Sequence, residues 1–302
     1  MVYGVVDVGS NTVRLCVYDV TDEGRKAKII INRKSMAGLA AYVVDGEMTR
    51  EGMDAAINSI SKCLKRAAYM NPVRVDVFAT AVLRNAKNSA EAIRVIEKGA
   101  NCKIVLLSEE DEAHLGFVGA SFKDELNHGV LLDIGGGSSE VTLVVGGRDV
   151  LRASLPQGSL SSYKKHVSDI LPSQDEFAAI RQEIRVMLEA DAHNMADHRV
   201  RRLFGVGGSI RALAEVNAEL RTGAPCKDLS REHVNMLVED LFLNRKAFVE
   251  AVLKAAPERL HTIACGLAIL IELFNDFDAE TLHICSAGVR EGYLLERMLK
   301  VK

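Results

Sequence analysis

The chain of 302 residues has no tryptophan, only 5 prolines and no excess of basic charge. So few prolines exclude a proline-rich linker protein. The 38 basic and 41 acidic side chains leave a formal net charge of −3. This charge argues against a general nucleic-acid binder or a membrane-surface protein, since both are usually clearly basic. The most apolar stretch, residues 262–274, contains Glu272 and is too short to span a bilayer.

The sequence also lacks cysteine pairs, a secretory signal and the common nucleotide-binding motifs, which limits the cellular location and the class of function that can be expected. The six cysteines form no CxxC pair and none lies at zinc-finger spacing from a histidine. Most stand in apolar stretches, so buried reduced thiols and a cytoplasmic location are expected. A basic region followed by an apolar run is missing at the N-terminus, so no secretory signal is expected. No segment fits GxGxxG or GxxxxGK[ST], which disfavours a Rossmann dehydrogenase and a P-loop NTPase.

The composition that is present, 48% hydrophobic and 26% charged, is typical of a soluble globular protein of about two domains. Apolar runs predict a β-meander over residues 2–7, 13–20 and 28–33. Helical spacing of apolar residues predicts an amphipathic helix over 50–70. Further strands are predicted over residues 73–78, 103–107, 202–205 and 281–285. Helices are predicted after the caps Ser108 and Ser173, from Ile210, over 259–274 and over 289–299.

The pattern of the N-terminal hairpin restarts in the middle of the chain. Each half opens with a strand, an Asp-x-Gly, a polar turn and a second strand, which is the signature of a structural duplication. A shift of 126 positions aligns Asp7 with Asp133, Gly9 with Gly135 and Arg14 with Glu140. We therefore predict two domains, 1–125 and 126–302, with the terminal helix 289–302 as a candidate to pack back on the first.

Both hairpins combine a carboxylate with a turn rich in glycine and serine. Backbone N–H groups and hydroxyls in such turns bind phosphate oxygens, and glycine permits their close approach. Asp7 and Asp133 would repel a phosphate unless a divalent cation lay between, so Mg²⁺, with Mn²⁺ as the alternative, is implied. Either hairpin alone could be a plain turn capped by aspartate, but two in register favour a phosphate clamp. A third glycine turn, residues 205–209, is by itself more typical of helix–strand packing.

Five segments follow one another in the order of a known set of motifs. They read DVGSNTVRL (7–15), ATAVLRNA (79–86), SEEDEA (108–113), DIGGGSSE (133–140) and SAGVREG (286–292). These resemble DxGSNSxRL, ATxAxRxA, SGEEEA, DIGGGSxE and SxxGLREG of the exopolyphosphatase/guanosine pentaphosphate phosphohydrolase (Ppx/GppA) family. The resemblance, to a short two-domain form, implies a duplicated ribonuclease-H-like α/β fold of the actin/hexokinase/Hsp70 type with an interdomain cleft. It also implies hydrolysis of terminal phosphoanhydride bonds with Mg²⁺.

The resemblance further implies roles for individual residues. Glu112 aligns with the general base, and its acidic neighbours in residues 109–111 would make it a stronger base. Without the resemblance, the acidic run would be a favourable helix N-terminus. The implied catalytic residues are Glu112, Asp133 and Glu140, and the implied metal ligands are Asp7, Asp133 and Glu140. The implied phosphate-binding residues are Ser10, Asn11, Arg84, Gly136, Gly137, Ser138, Gly207, Gly208 and Ser209.

Two positions depart from the family pattern. His114 stands where the family often has arginine, and Ser161 replaces the arginine of LPxGxxR. The loss of two cations leaves the substrate and its chain length open. Residues 163–166 or 198–202 could supply compensating charge, although each segment is also typical of a solvated surface.

The sequence thus predicts a Mg²⁺-dependent exopolyphosphatase that removes the terminal phosphate of inorganic polyphosphate by in-line attack of water. Guanosine pentaphosphate is the alternative substrate. An actin-superfamily small-molecule kinase is a further alternative, but no distinct sequence for an adenosine pocket or a phosphoryl acceptor was found. A non-catalytic polyphosphate or nucleotide sensor is disfavoured by the intact carboxylates. Nucleic acid and membranes are not expected as partners, and homodimerisation is left open.

Overall fold

The computed structural model describes residues 1–24, 26–191, 199–224 and 226–300. The chain divides into two compact units, of which unit 1 comprises Met1–Gly119 and Val289–Lys302, and unit 2 comprises Ala120–Gly288. The first boundary therefore lies between Gly119 and Ala120. This is earlier in the chain than the boundary predicted from the sequence, between residues 125 and 126. Asp124 explains the difference, because its carboxylate contacts His283 and the backbone N–H of Ser286, which both belong to unit 2.

The strands and helices of unit 1 begin with the predicted meander. Its strands are β1 (Val2–Val8), β2 (Thr12–Thr21), β3 (Lys26–Met36), β4 (Val43–Val44), β5 (Glu47–Met48), β6 (Arg74–Ala79) and β7 (Ile104–Leu106). Its helices up to the crossing into unit 2 are α1 (Arg50–Ala68), α2 (Ala81–Arg84), α3 (Ser89–Ala100) and α4 (Glu109–Ser121). In the described part of the chain, the main sheet has the order β3-β2-β1-β6-β7, with β1, β6 and β7 parallel.

Helix α1 illustrates how the sequence determines this packing. Thr49 caps the helix, since its Oγ1 accepts the N–H of Gly52 at 3.2 Å. Met53 and Ile60, which the periodicity placed on the apolar face, are buried against one face of the sheet together with Ala56. Ile57 and Leu64 of the same predicted face are half-buried, and Ala68 is exposed. The opposite face of the sheet carries a second apolar cluster that includes Tyr18.

Unit 2 repeats the meander and extends it. Its strands are β8 (His128–Ile134), β9 (Ser139–Val145), β10 (Arg148–Leu155), β11 (Arg202–Val206), β12 (Asp228–Ser230) and β13 (Thr281–Ile284). Its helices are α5 (Ser159–His166), α6 (Gln174–Asp191), α7 (Gly207–Arg221), α8 (Arg231–Leu243), α9 (Arg245–Ala255) and α10 (Ile263–Asp276). The sheet order is β10-β9-β8-β11-β13-β12 over the described ranges, with β8, β11 and β13 parallel. Within those ranges, none of the helices combines the length and apolar character needed to cross a membrane.

The two hairpins have the same register. Asp7 lies opposite Arg14 in the β1–β2 ladder, and Asp133 lies opposite Glu140 in the β8–β9 ladder. At each turn a glycine N–H donates to the carbonyl three residues later, at 3.0 Å in both the first and the second hairpin. The shift of 126 positions read from the sequence therefore describes a duplicated supersecondary structure.

The C-terminal segment returns to unit 1 as helix α11 (Val289–Gly292), which continues as a π-helix over Tyr293–Leu299. A Cβ on Gly292 would lie 1.9 Å from the carbonyl oxygen of Leu115, so only glycine allows this approach to α4. Tyr293 and Leu294 are buried in the same cluster as Tyr18. The segment therefore completes the core of unit 1.

Candidate functional site

In unit 1, the predicted site residues follow the carboxyl ends of parallel strands. Asp7 stands at the end of β1, Arg84 ends the short helix after β6, and Glu112 lies in α4 after β7. The carboxyl ends of parallel strands lie at one edge of a sheet, and in open α/β sheets this edge binds ligands. The topology therefore brings three residues from distant parts of the sequence to the same edge.

Arg84 and Glu112 form a direct ion pair. The Nη1 of Arg84 donates to Oε2 of Glu112 at 2.8 Å and to the carbonyl oxygen of Leu107 at 3.1 Å. The side chains are only 13% and 12% exposed, and Nη2 of Arg84 is 3.7 Å from Oε1 of Glu109. A guanidinium favours an ionised carboxylate, which opposes the effect expected from the acidic neighbours. Arg84 thus holds the carboxyl group of Glu112 in a defined position.

The first turn of α4 fixes the position of Glu112. Ser108 caps the helix as predicted, because its Oγ accepts the N–H of Asp111 at 3.0 Å. Its carbonyl oxygen accepts the N–H of Glu112 at 2.9 Å. Glu112 is therefore carried on a regular helix rather than a loop, which limits its movement.

The first hairpin turn is anchored through its carbonyl groups. The carbonyl oxygen of Ser10 accepts the N–H of Ala40 at 2.8 Å, and that of Asn11 accepts the N–H of Gly38 at 2.9 Å. These bonds fix the orientation of the Ser10–Asn11 peptide groups. At the end of the preceding strand, Oδ2 of Asp7 accepts a hydrogen bond from Nη1 of Arg290 at 2.9 Å.

The second hairpin turn is anchored by the start of α5. The carbonyl oxygen of Gly135 accepts the N–H of Ser159, and that of Gly136 accepts the N–H groups of Leu160 and Ser161, each at 2.9 Å. A Cβ on Gly158 would lie 2.7 Å from the backbone of Gly135 and Gly136, so there is no room for one. The turn includes the predicted donors Gly136, Gly137 and Ser138. Its carbonyl oxygens at Gly135 and Gly136 are hydrogen-bonded to α5, and these bonds fix the position of the turn.

Ser161 has a defined role in this contact. Its Oγ accepts the N–H of Gly158 at 2.8 Å, so it satisfies a backbone donor at the start of α5. Ser161, which stands where the family pattern has arginine, thus stabilises the start of the helix that anchors the second turn. His114, at the other departure, bonds Oε2 of Glu296 at 2.7 Å and connects α4 to the C-terminal segment.

Asp133 and Glu140 are neighbours at the base of this turn. They are paired across the β8–β9 ladder, and Glu140 is only 4% exposed and accepts the hydroxyl of Ser154 at 3.2 Å. A Cβ on Gly207 would lie 2.2 Å from Oδ1 of Asp133, so the carboxylate occupies the space left by the glycine. The structure therefore brings the second and third glycine turns together within unit 2.

Two of the three predicted metal ligands fit a magnesium ion. No group of three or more His, Cys, Asp or Glu is placed to hold a metal among the described residues. Magnesium, however, commonly takes one or two carboxylates and completes its shell with water and substrate phosphates. The adjacent carboxylates of Asp133 and Glu140 match that requirement. The third predicted ligand, Asp7, forms an ion pair with Arg290.

The third glycine turn is the start of a helix. Helix α7 begins at Gly207 rather than at Ile210, so Gly207, Gly208 and Ser209 form its first turn. The N-terminus of a helix presents backbone N–H groups and a positive dipole end, which favours an anion. These three residues thus form a helix start that could bind an anion, and their role in phosphate binding stays a prediction.

Arg259 lies against this helix start and was missed by sequence reasoning. Its Nη1 donates to Oγ of Ser209 at 3.2 Å, and a Cβ on Gly208 would lie 2.0 Å from its Nη2. The arginine follows Ser209 by 50 positions and stands in no motif, so only the tertiary structure identifies it. It is a further cation beside the predicted phosphate-binding turn.

The two basic segments considered as compensating charge are engaged within unit 2. Lys165 and His166 both contact the carboxylate of Glu183. Ion pairs also hold three arginines of the second segment: Arg199 with Asp278, Arg201 with Glu280 and Arg202 with Asp228. His198 lies outside the described residues. These contacts are those of a surface network of ion pairs.

Comparisons with known proteins agree with these observations. The model of the Ppx/GppA phosphatase family matches residues 16–301. Exopolyphosphatase 1 of Mycobacterium tuberculosis is 26% identical, over 98% of this chain and 88% of the relative. The structure resembles that of an exopolyphosphatase from Cytophaga hutchinsonii (TM-score 0.88, 21% identity, 100% of this chain and 99% of the other). It also resembles the Aquifex aeolicus member of the Ppx/GppA family (TM-score 0.78, 22% identity, 99% and 98%). The predicted duplicated α/β fold is confirmed.

Proposed function

Since the chain belongs to the Ppx/GppA phosphatase family, we propose that it is an exopolyphosphatase that releases the terminal phosphate of inorganic polyphosphate. The family and the exopolyphosphatase relatives identify it as a phosphoanhydride hydrolase. The observation that carries the proposal is the pair of hairpins in identical register, each combining an anchored glycine–serine turn with an aspartate. The proposal includes a cytoplasmic location, since all six cysteines are free thiols.

We assign the activation of water to Glu112. A general base must be ionised before it can accept a proton, and the ion pair with Arg84 favours that form. The Nε and Nη2 atoms of Arg84 are buried without a hydrogen-bond partner in the described part of the chain. A guanidinium with unused donors can also bind phosphate oxygens. Arg84 thus would stabilise the ionised form of the base Glu112 and also bind the phosphate.

We assign phosphate binding to backbone donors. The turn at Ser10–Asn11 in unit 1, and in unit 2 the turn at Gly136–Ser138 with the first turn of α7, each offer backbone N–H groups that would bind phosphate oxygens. Asp133 and Glu140 would hold Mg²⁺ or Mn²⁺, which neutralises phosphate charge when bound. Little covalent chemistry falls to the protein in phosphoryl transfer, so positioning and electrostatics account for the rate.

Measuring substrate choice tests the proposal. Phosphate release from polyphosphate, guanosine pentaphosphate and ATP is measured side by side with Mg²⁺. We expect kcat/KM for polyphosphate to exceed the other two by at least about tenfold, a difference of ~1.4 kcal/mol in transition-state binding. A preference for guanosine pentaphosphate would favour the alternative hydrolase. Tight binding without release would indicate a sensor, and phosphoryl transfer from ATP to a small acceptor would indicate a kinase.

The contact between α5 and the second turn gives a further prediction. Replacing Gly158 with alanine is expected to lower kcat/KM about 100-fold, because the turn backbone at residues 135–136 must move away from the new Cβ. Steady-state kinetics and the unfolding temperature are measured together. Gly116→Ala in α4 is the control, since its Cβ would meet nothing nearer than 3.8 Å. Unchanged kinetics in Gly158→Ala would contradict the assigned role of the turn.

A further inference from the structure

Asp7 and Arg290 form an ion pair that joins the two ends of the chain. Nη1 of Arg290 donates to Oδ2 of Asp7 at 2.9 Å, across 283 positions of sequence. The side chains are 18% and 21% exposed, so the pair is largely shielded from water. A shielded ion pair interacts more strongly than an exposed one, because the effective dielectric constant is lower. The carboxylate of Asp7 therefore interacts strongly with the guanidinium of Arg290.

A second arginine adds to the positive charge beside Asp7. Arg14 lies directly opposite Asp7 in the β1–β2 ladder. Burial, and next the repulsion from Arg290, lower the pKa of Arg14. Burial also acts to lower the pKa of Arg290, but the attraction of Glu291 and Asp7 outweighs it and raises that pKa above its ordinary value. Both groups are charged at neutral pH. Two guanidinium groups, of Arg14 and Arg290, thus lie among two carboxylates, of Asp7 and Glu291, at the base of the first turn.

The surrounding contacts hold Arg290 in place. The hydroxyl of Tyr18 donates to Oε1 of the adjacent Glu291 at 2.7 Å, and Glu291 is only 6% exposed. Gly292 contacts the backbone of α4 without room for a side chain. The hydroxyl of Tyr293 donates to Oδ2 of Asp76 at 3.1 Å. Arg290 is therefore anchored by its own segment and cannot be displaced easily by a cation that approaches Asp7.

We propose that Asp7 is the counter-ion of Arg290 and not a metal ligand, and that Arg290 is a positioning residue for the first phosphate-binding turn. With Arg290, the positive charges of Arg14 and Arg290 balance the negative charges of Asp7 and Glu291. Without it, the two carboxylates outnumber Arg14, and the base of the turn repels an anion. The inference rests on the proposed function for the identity of that anion, but the pairing of Asp7 does not.

Binding of Mn²⁺ tests, without any turnover, whether Asp7 is a metal ligand. The free protein, with inorganic phosphate present, is titrated with Mn²⁺ and the bound ion is followed by electron paramagnetic resonance. We expect Asp7→Asn to bind Mn²⁺ within about threefold of the unsubstituted protein, and Asp133→Asn to bind it at least about tenfold more weakly. An equal loss in both variants would overturn the assignment of Asp7.

A double-mutant cycle tests the pairing and also needs no turnover. Asp7→Asn, Arg290→Met and the double variant are unfolded in urea. We expect the double variant to be no less stable than Arg290→Met alone, because each single change leaves a shielded charge without its partner. Additive losses would contradict the pairing. These two experiments decide the role of Asp7 even if polyphosphate proves not to be the substrate.

Steady-state kinetics test the positioning role. Arg290→Met is expected to raise KM for polyphosphate at least tenfold while kcat falls less, since an attraction for the bound anion is lost. Adding Asp7→Asn should recover part of the loss in KM, and Arg290→Lys should recover more. A role in stability alone would lower the unfolding midpoint with KM unchanged, and this outcome would refute the positioning role.

Discussion

Replacing Glu112 with glutamine is expected to lower kcat for phosphate release by about 10²–10⁴-fold, with KM changed by no more than about threefold. Glutamine has the same shape and can still accept the hydrogen bond that Nη1 of Arg84 donates at 2.8 Å. It cannot accept a proton from water. The variant therefore removes the base and preserves the contact, and steady-state kinetics with polyphosphate measure the difference.

Glu109 provides the matched control for this experiment. It lies one turn earlier in α4, faces the same guanidinium at 3.7 Å and is 48% exposed. Glu109→Gln removes the same charge from the same surroundings, so kcat should stay within about threefold of the parent. An equal fall in both variants would mean that charge near Arg84 matters and that Glu112 is not the base. Near-normal turnover in Glu112→Gln would likewise mean that Glu112 is not the base.

Replacing Gly207 with alanine is expected to lower kcat/KM by at least about 100-fold. The new Cβ would lie 2.2 Å from Oδ1 of Asp133, so the carboxylate would have to leave its position. Gly207 also has a φ of +86°, which costs a residue with a Cβ about 1–2 kcal/mol. The expected result combines a lower unfolding temperature with weaker Mn²⁺ binding and lower activity.

A substitution at Gly223 separates the effect of backbone strain from the effect of the collision with Asp133. Gly223 lies just beyond the other end of α7, with a φ of +65° and no heavy atom within 4 Å of its Cβ position. Gly223→Ala therefore carries the backbone strain without the collision. We expect it to lose a similar amount of stability and to retain Mn²⁺ affinity and kcat/KM. If the two variants lose activity equally, the displacement of Asp133 is not the cause.

The duplicated framework could be predicted because its signals are local. A hairpin needs only two apolar runs, a turn and their spacing, and the copies share the pattern that places Asp7 opposite Arg14 and Asp133 opposite Glu140. Helix N-caps could be predicted from the sequence for the same reason. Ser173 accepts the N–H of Glu176 at 3.2 Å, and Glu176 accepts that of Ser173 at 2.8 Å, as the spacing predicted.

Elements with weaker local signals were missed. Strand β10 pairs with β9 over Arg148–Leu155, but charged residues interrupt its apolar pattern and no prediction was made for it. Helices α8 and α9 were also not predicted. The start of α7 was placed three residues late, because glycines have little helix propensity and only the contacts with Asp133 and Arg259 account for their conformation.

The charge partners of the site could not be obtained from sequence alone. Arg290 lies in SAGVREG (286–292), which resembles a family motif, yet nothing local in the sequence connects it with Asp7. Arg259 is similarly separated from Ser209. Their partners depend on tertiary structure, because an ion pair is a matter of distance in space.

The return of the last residues to unit 1 reverses the order in which the units can mature on the ribosome. Unit 2 is one continuous stretch, Ala120–Gly288, and its whole sequence is available before the final helix is made. Unit 1 begins first but waits for Tyr293 and Leu294 to fill its second apolar cluster and for Glu291 to accept the hydroxyl of Tyr18. The half that is synthesised first is therefore completed last, and during elongation its apolar face stays open to chaperones and to aggregation.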